Sequence, residues 1–263
     1  MLKINDEYVN KVKHWFSGYV EIFKNGDDDL LQNTILKEKH TKEVCKNILI
    51  IGQQLNLNNN ELNFANIIAL FHDVGRFEQY AHYRTFADNK SENHAELGVK
   101  ILKEKKVLSQ LDESTQSLIL RAISYHNRFA VPEEETEKCI FFSKLLRDAD
   151  KLDIWRVVTD YYLNNNGKKN KTIELSLPDT NNFSEEVYQD IINYRLVDIK
   201  HLKNLNDFKL LQMGWVFDVN FKPTFKLLQE RNYLEMIYQV LPKSEKTEKV
   251  YSIIQSFLEG KIN

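Results

Sequence analysis

Only 8 glycines and 4 prolines punctuate 263 residues, too little turn chemistry for a sandwich or barrel built from many short strands. The intervals are filled by long segments in which apolar residues recur every three or four positions, the period of one helix face. The expected fold class is therefore all-α. Tyr8, Val12, Trp15 or Phe16, and Ile22 or Phe23 outline a helix over residues 5–24, and Val44, Ile48, Ile51 and Leu55 outline another beginning near His40. Gly26 and the run Asp27-Asp28-Asp29 break the chain between them. Further helices are expected over 60–74, 92–106, 113–127 and 136–164, with Asn60, Ser91 and Asp112 as N-caps and Gly75 as a stop.

The polar run from Asn164 to Lys171 is the best candidate for a surface loop. It divides the expected organisation into a helical unit over 1–165, a polar loop over 166–182 and a helical C-terminal extension over 183–263 that packs on the first unit. Helices are expected in that extension near 184–200, 205–219, 223–240 and 245–259. The stripe Trp215, Phe217, Phe221 and Phe225 reads there as packing. A formal charge of −2 gives no global basic footprint, so wholesale nucleic-acid binding is not expected. A small anionic substrate stays compatible with it. The first residues lack a signal-peptide apolar core and no stretch is long and apolar enough to span a bilayer, so the protein is expected to be cytoplasmic and without a membrane partner. Cys45 and Cys139 each sit in an apolar helical pattern and read as core residues.

Six residues then stand out in the order H…HD…H…H…D: His40, His72, Asp73, His94, His126 and Asp150. Imidazole and carboxylate suit Fe, Mn, Ni or Zn, and six such groups are enough for two divalent ions. Helix arithmetic turns them inward. Leu62, Ala65, Ala69 and His72 step by three, four and three along one stripe. His126 shares a face with Thr115, Leu118 and Ala122, and His94 shares one with Leu97, Gly98 and Ile101. Asp150 follows Cys139, Phe142 and Leu146. Separate helices that each aim a His or Asp into a core imply that these groups meet one another or a common ion. Asp73 lies about 100° around the helix from His72, so both can reach an ion at the helix end, and its two oxygens suit it to bridge.

The strings that carry these residues are EKHTKEV at His40, ALFHDVGRFEQY at His72 and Asp73, ENHAELGVKIL at His94, AISYHN at His126 and RDADKLD at Asp150. Over residues 35–160 they resemble the HD superfamily of metal-dependent phosphohydrolases. The resemblance implies an HD-type helical bundle in which His40, His72, Asp73 and Asp150 hold one ion and Asp73, His94 and His126 a second. Asp150 is preferred to Asp148 and Asp153 because ADKL resembles the family's last motif. The Gly-Tyr-Pro signature of the cyclic-dinucleotide branch is missing after His126, where the chain reads Asn127-Arg128-Phe129.

Arg76, Lys151 and Arg128 neighbour ligand positions and are candidates for neutralising a phosphoryl group. The segment from Arg76 to Ser91, with His82 and Arg84, reads as a loop that selects substrate, His82 being placed to protonate a leaving oxygen. His14 and His201 fall outside the pattern. The resemblance implies hydrolysis of a phosphomonoester or phosphodiester, with a small nucleotide as the leading substrate class. Two alternatives share the ligand set: a diiron oxygenase that cleaves a C–C or C–P bond, and a non-catalytic nucleotide-binding regulatory module.

Overall fold

The computed structural model describes residues 4–164, 170, 173–175 and 177–263, all helix, turn or irregular backbone with no strand among them. Residues 166–169, 171, 172 and 176 of the expected polar loop lie outside the described residues. The chain falls into two compact units, Met1–Asp153 and Ile154–Asn263.

The first unit carries α1 (Asp6–Glu21), α2 (Asp28–Gln54), α3 (Asn59–Phe71), α4 (Val74–Tyr83), α5 (His94–Glu104), α6 (Glu113–Tyr125) and the start of α7 (Glu137–Asn164). α3 is the central element, packed on α1, α2 and α6, while α5 bridges α4 and α6. Ile48, Phe71, Ile119 and Phe142 are fully buried between these helices, each contributing roughly 1.5–3 kcal/mol by leaving water. Phe64 stacks tilted on Phe142 with centroids 4.4 Å apart, which joins α3 to α7.

Several expected boundaries move, each for a local reason. α2 begins twelve residues before His40 because Asp27 caps it, accepting from the Leu30 amide at 2.8 Å, with Asp28 and Asp29 at the positive end of the helix dipole. The acidic run read as a break is thus a start signal. The cap of α3 is Asn58, in a capping box with Glu61, while Asn60 accepts from the Ile4 amide. Asn93 caps α5, because the Ser91 hydroxyl is committed to the Ala87 carbonyl and to Gln79. Asp112 caps α6 as expected.

Gly75 is no stop. It lies inside α4, and the chain turns before it, at Asp73 (φ −107°, ψ 14°). The segment read as a substrate loop is therefore largely helical, ending at Arg84 in the left-handed region (φ 52°), with only a 3-10 turn at Asp88–Lys90 before α5.

The second unit carries the rest of α7, α8 (Glu185–Ile192), α9 (Leu205–Gly214), α10 (Lys222–Glu230), α11 (Tyr233–Gln239) and α12 (Glu245–Ile262). The first of its expected helices stops early at Ile192, with Tyr194 left-handed, and the third is cut in two at Asn232, also left-handed. Trp215 and Phe217 fall in a 3-10 turn, against Trp155 and Phe257 respectively, as packing residues. No described helix is long and apolar enough to cross a membrane.

Candidate metal centre

Four histidines converge from four places in the first unit. His72 and His126 sit at the C-terminal ends of α3 and α6 and share one local device. Each ring turns back so that Nδ1–H donates to the carbonyl three residues earlier, Ala69 at 2.8 Å and Ile123 at 2.7 Å. His40 on α2 donates from Nδ1 to Asp153 Oδ2 at 2.7 Å, and His94, the first residue of α5, donates from Nδ1 to Asp88 at 2.8 Å. All four rings are buried.

These partners fix the tautomers, since a neutral imidazole has one N–H and here each has an acceptor at Nδ1. The Nε2 atoms are left with lone pairs, yet they face one another, at 3.3 Å for His40 and His72 and 3.0 Å for His94 and His126. Lone pairs at that separation repel unless a cation is shared between them.

Asp73 stands between the two pairs. As the residue preceding α4 it has the position of an N-cap but makes no capping hydrogen bond. Oδ2 lies 3.5 Å from the Nε2 atoms of both His40 and His72, and Oδ1 lies 3.4 Å from His94 Nε2 and 3.8 Å from His126 Nε2. Asp150, on α7, brings Oδ1 to 3.0 Å from His40 Nε2 and 3.6 Å from His72 Nε2. That oxygen is buried without a hydrogen bond. Single donor atoms from His40, His72 and Asp150 lie within 4.8 Å of one another, as do those from His72, Asp73 and His126. An orphaned carboxylate oxygen and opposed imidazole lone pairs fit divalent ions, and a donor set of nitrogen and oxygen fits Fe, Mn, Ni or Zn. The two cysteines are buried and free.

The electrostatics are uneven across the centre. Burial opposes ionisation of Asp73 and Asp150, but Lys37, His72 and Arg76 for the first, and His40 and His72 for the second, hold both carboxyls well below the usual carboxylate range. Burial and Lys37 disfavour a charged His40, yet Asp150 and Asp153 outweigh them and raise its pKa. Burial and Arg76 win at His94 and take it down to about 3.

Four residues that the sequence reading did not single out complete the site. Lys37, one helical turn before His40, places Nζ 2.6 Å from Asp73 Oδ2 and 5.4 Å from the Phe86 ring centroid. Asp88 accepts from Arg76 at 3.0 Å, Gln79 at 2.9 Å, Asn127 at 3.1 Å and His94. Gln79 is fully buried and also ties Ser91 and the Glu92 carbonyl. Arg147, buried on α7, donates to the carbonyls of His126, Arg128 and Phe129, which fixes the backbone following His126.

The other candidates lie in different settings. Arg76 brings Nε to 3.5 Å from Asp73 Oδ1, with Nη1 held by Gln79, Phe86 and Asp88. Lys151 is buried beside Asp150. His82 is exposed with its ring near Tyr83, Arg84 pairs with Asp27 at 2.8 Å, and Arg128 lies over Tyr125 near Glu96. None of these three makes a described contact with the six converging residues. Asp148 is buried, and Asp153 orients His40. His14 is exposed, and His201 bonds Asp190 within the second unit.

The family model of the HD domain matches residues 38–155, a span that contains all six converging residues. The HD domain is an all-α fold of a superfamily of metal-dependent phosphohydrolases, whose members bind divalent metals. Comparison with curated proteins and with solved structures finds no significant match.

Proposed function

We propose, on the premise that residues 38–155 are an HD domain, that this chain hydrolyses a phosphomonoester or phosphodiester with two divalent ions and that its substrate is a small nucleotide. The observation that carries this reading is Asp73, with one oxygen turned to His40 and His72 and the other to His94 and His126. Ions held there would supply Lewis-acid activation of water and neutralise phosphoryl charge.

The protein's own contribution is to orient the donors and balance charge. Asp153, Asp88 and two helix-end carbonyls hold the Nδ1 side of the four rings and aim their Nε2 atoms inward. Lys37 and Arg76 flank the Phe86 ring and both reach Asp73, so two cations border the side on which an anionic phosphoryl group would approach. The nucleotide preference rests on likeness to the superfamily.

Metal analysis of protein purified without added ions, followed by a phosphate-release screen over nucleotides with Mn, Fe, Ni and Mg, tests the reading. Hydrolysis in heavy-oxygen water should place the label in released phosphate. An oxygen-dependent product with no phosphate release from any ester overturns it in favour of the oxygenase. Nucleotide binding without turnover in fully loaded protein favours the regulatory module.

A further inference from the structure

A cleft of about 590 Å³ opens between α1, α2 and α3, away from the six converging residues. That size falls within the range of small-molecule sites, and the cleft joins an apolar wall to a rim of charged side chains from α1 and α2. Phe16, Leu49 and Leu70 supply apolar wall from three different helices. On α2, Lys39, Lys42, Lys46 and Leu49 step by three, four and three, so one stripe of that helix borders the cleft while His40 points into the core.

Two features are unexplained by packing. Asn66 is 5 % exposed, lines the cleft, and its side-chain Oδ1 has no hydrogen-bond partner. A buried amide oxygen without a donor costs on the order of a lost hydrogen bond. The charge balance is the second. Glu38 is taken up by Lys42 at 2.5 Å and Lys24 at 2.8 Å and Glu43 by Lys46 at 2.6 Å, so that among the described residues the ammonium groups of Lys13 and Lys39 at the cleft have no ion pair. Cys45 also lines the cleft, but burial pushes its thiol up to about 12, so it is no nucleophile and the cleft has the chemistry of binding rather than reaction.

We propose that this cleft is a binding site for a small amphipathic organic anion. The apolar body lies against Phe16, Leu49 and Leu70, and the anionic group meets Lys13 and Lys39. The site is independent of the metal centre and of the reaction assigned to it.

The test titrates the full-length protein with 6-anilinonaphthalene-2-sulfonate, which carries an apolar body, one N–H and one sulfonate, and follows its fluorescence. The expected result is saturable binding at one site. Ser17→Trp, at an exposed position on the cleft rim, should abolish it by filling the space. The pair Lys13→Glu and Lys39→Glu should weaken it about tenfold or more, two exposed ion pairs being worth about that together. Circular dichroism checks that each variant keeps its helices. The uncharged analogue N-phenyl-1-naphthylamine should bind correspondingly weakly. Unsaturable binding, binding indifferent to Ser17→Trp, or equal affinity for the charged and uncharged probes overturns the proposal.

Discussion

Gly75 and His94 approach so closely that a Cβ on the glycine would lie 2.2 Å from the His94 carbonyl oxygen and 2.7 Å from the Gly98 amide nitrogen. Both obstacles are backbone, so neither can rotate aside. The hydrogen at this position lets the start of α4 lie against the start of α5, and that contact brings His94 Nε2 to Asp73. Gly75→Ala must push the two helix ends apart. The expected cost is roughly 1–3 kcal/mol, as for overpacking, with a fall of a few degrees in melting temperature and bound metal reduced from two ions to about one. Calorimetry together with metal analysis of one preparation checks both.

Asp73 turns one oxygen to His40 and His72 and the other to His94 and His126, so on the proposed reading Asp73→Ala should empty both halves. His94→Ala or His126→Ala should leave about one ion, since His40, His72, Asp73 and Asp150 still form a sufficient set. Retention of two ions by Asp73→Ala would remove the bridging assignment.

Lys37→Met should keep its metals and even bind them somewhat more tightly, because the ammonium competes with an ion for Asp73 Oδ2. It should lose phosphatase efficiency by about one to two orders of magnitude, the worth of one charge-assisted contact of roughly 1.5–3 kcal/mol. Lys151→Ala is expected to behave the same way. Arg76→Ala should in addition lower the melting temperature, because Arg76 also holds Phe86, Gln79 and Asp88 in place.

Protons and metal compete for His40 Nε2. The raised pKa of His40 means that metal retention should fall as pH drops through the mildly acidic range. Metal-free protein should show the opposite trend. A raised folded pKa contributes stability that is fully present below the unfolded value of about 6.5 and is lost as pH rises through the folded one. Asp153→Asn removes one cause of the shift and should move both transitions to lower pH. Thermal melts with and without metal across about pH 5–8 show whether the two trends cross.

Much of this was legible from residue spacing. The periodicity gave the helices, and face arithmetic turned His72, His94 and His126 inward because each sits on a stripe of core residues. What stayed hidden depended on partners distant in sequence or on backbone proximity. Asp88 looked like a loop acid, since nothing local to it shows that Arg76, Gln79, His94 and Asn127 all converge there. Gly75 looked like a helix stop because glycine marks both helix ends and close approaches, and only the neighbouring helix distinguishes them. Lys37 was recoverable: three residues before His40 on one helix, it had to lie on nearly the same side.

The two halves of the centre carry different acids: two carboxylates besides Asp73 at the first and one at the second. Around His40 and His72 stand Asp150, Asp153 and the Lys37 ammonium, whereas around His94 and His126 Asp88 pairs with the Arg76 guanidinium. Their shared Asp73 adds to both. If two ions bind as proposed, the first half should fill at lower free metal and empty last under a chelator. Such a centre would follow metal supply, with its full complement present only when supply is ample.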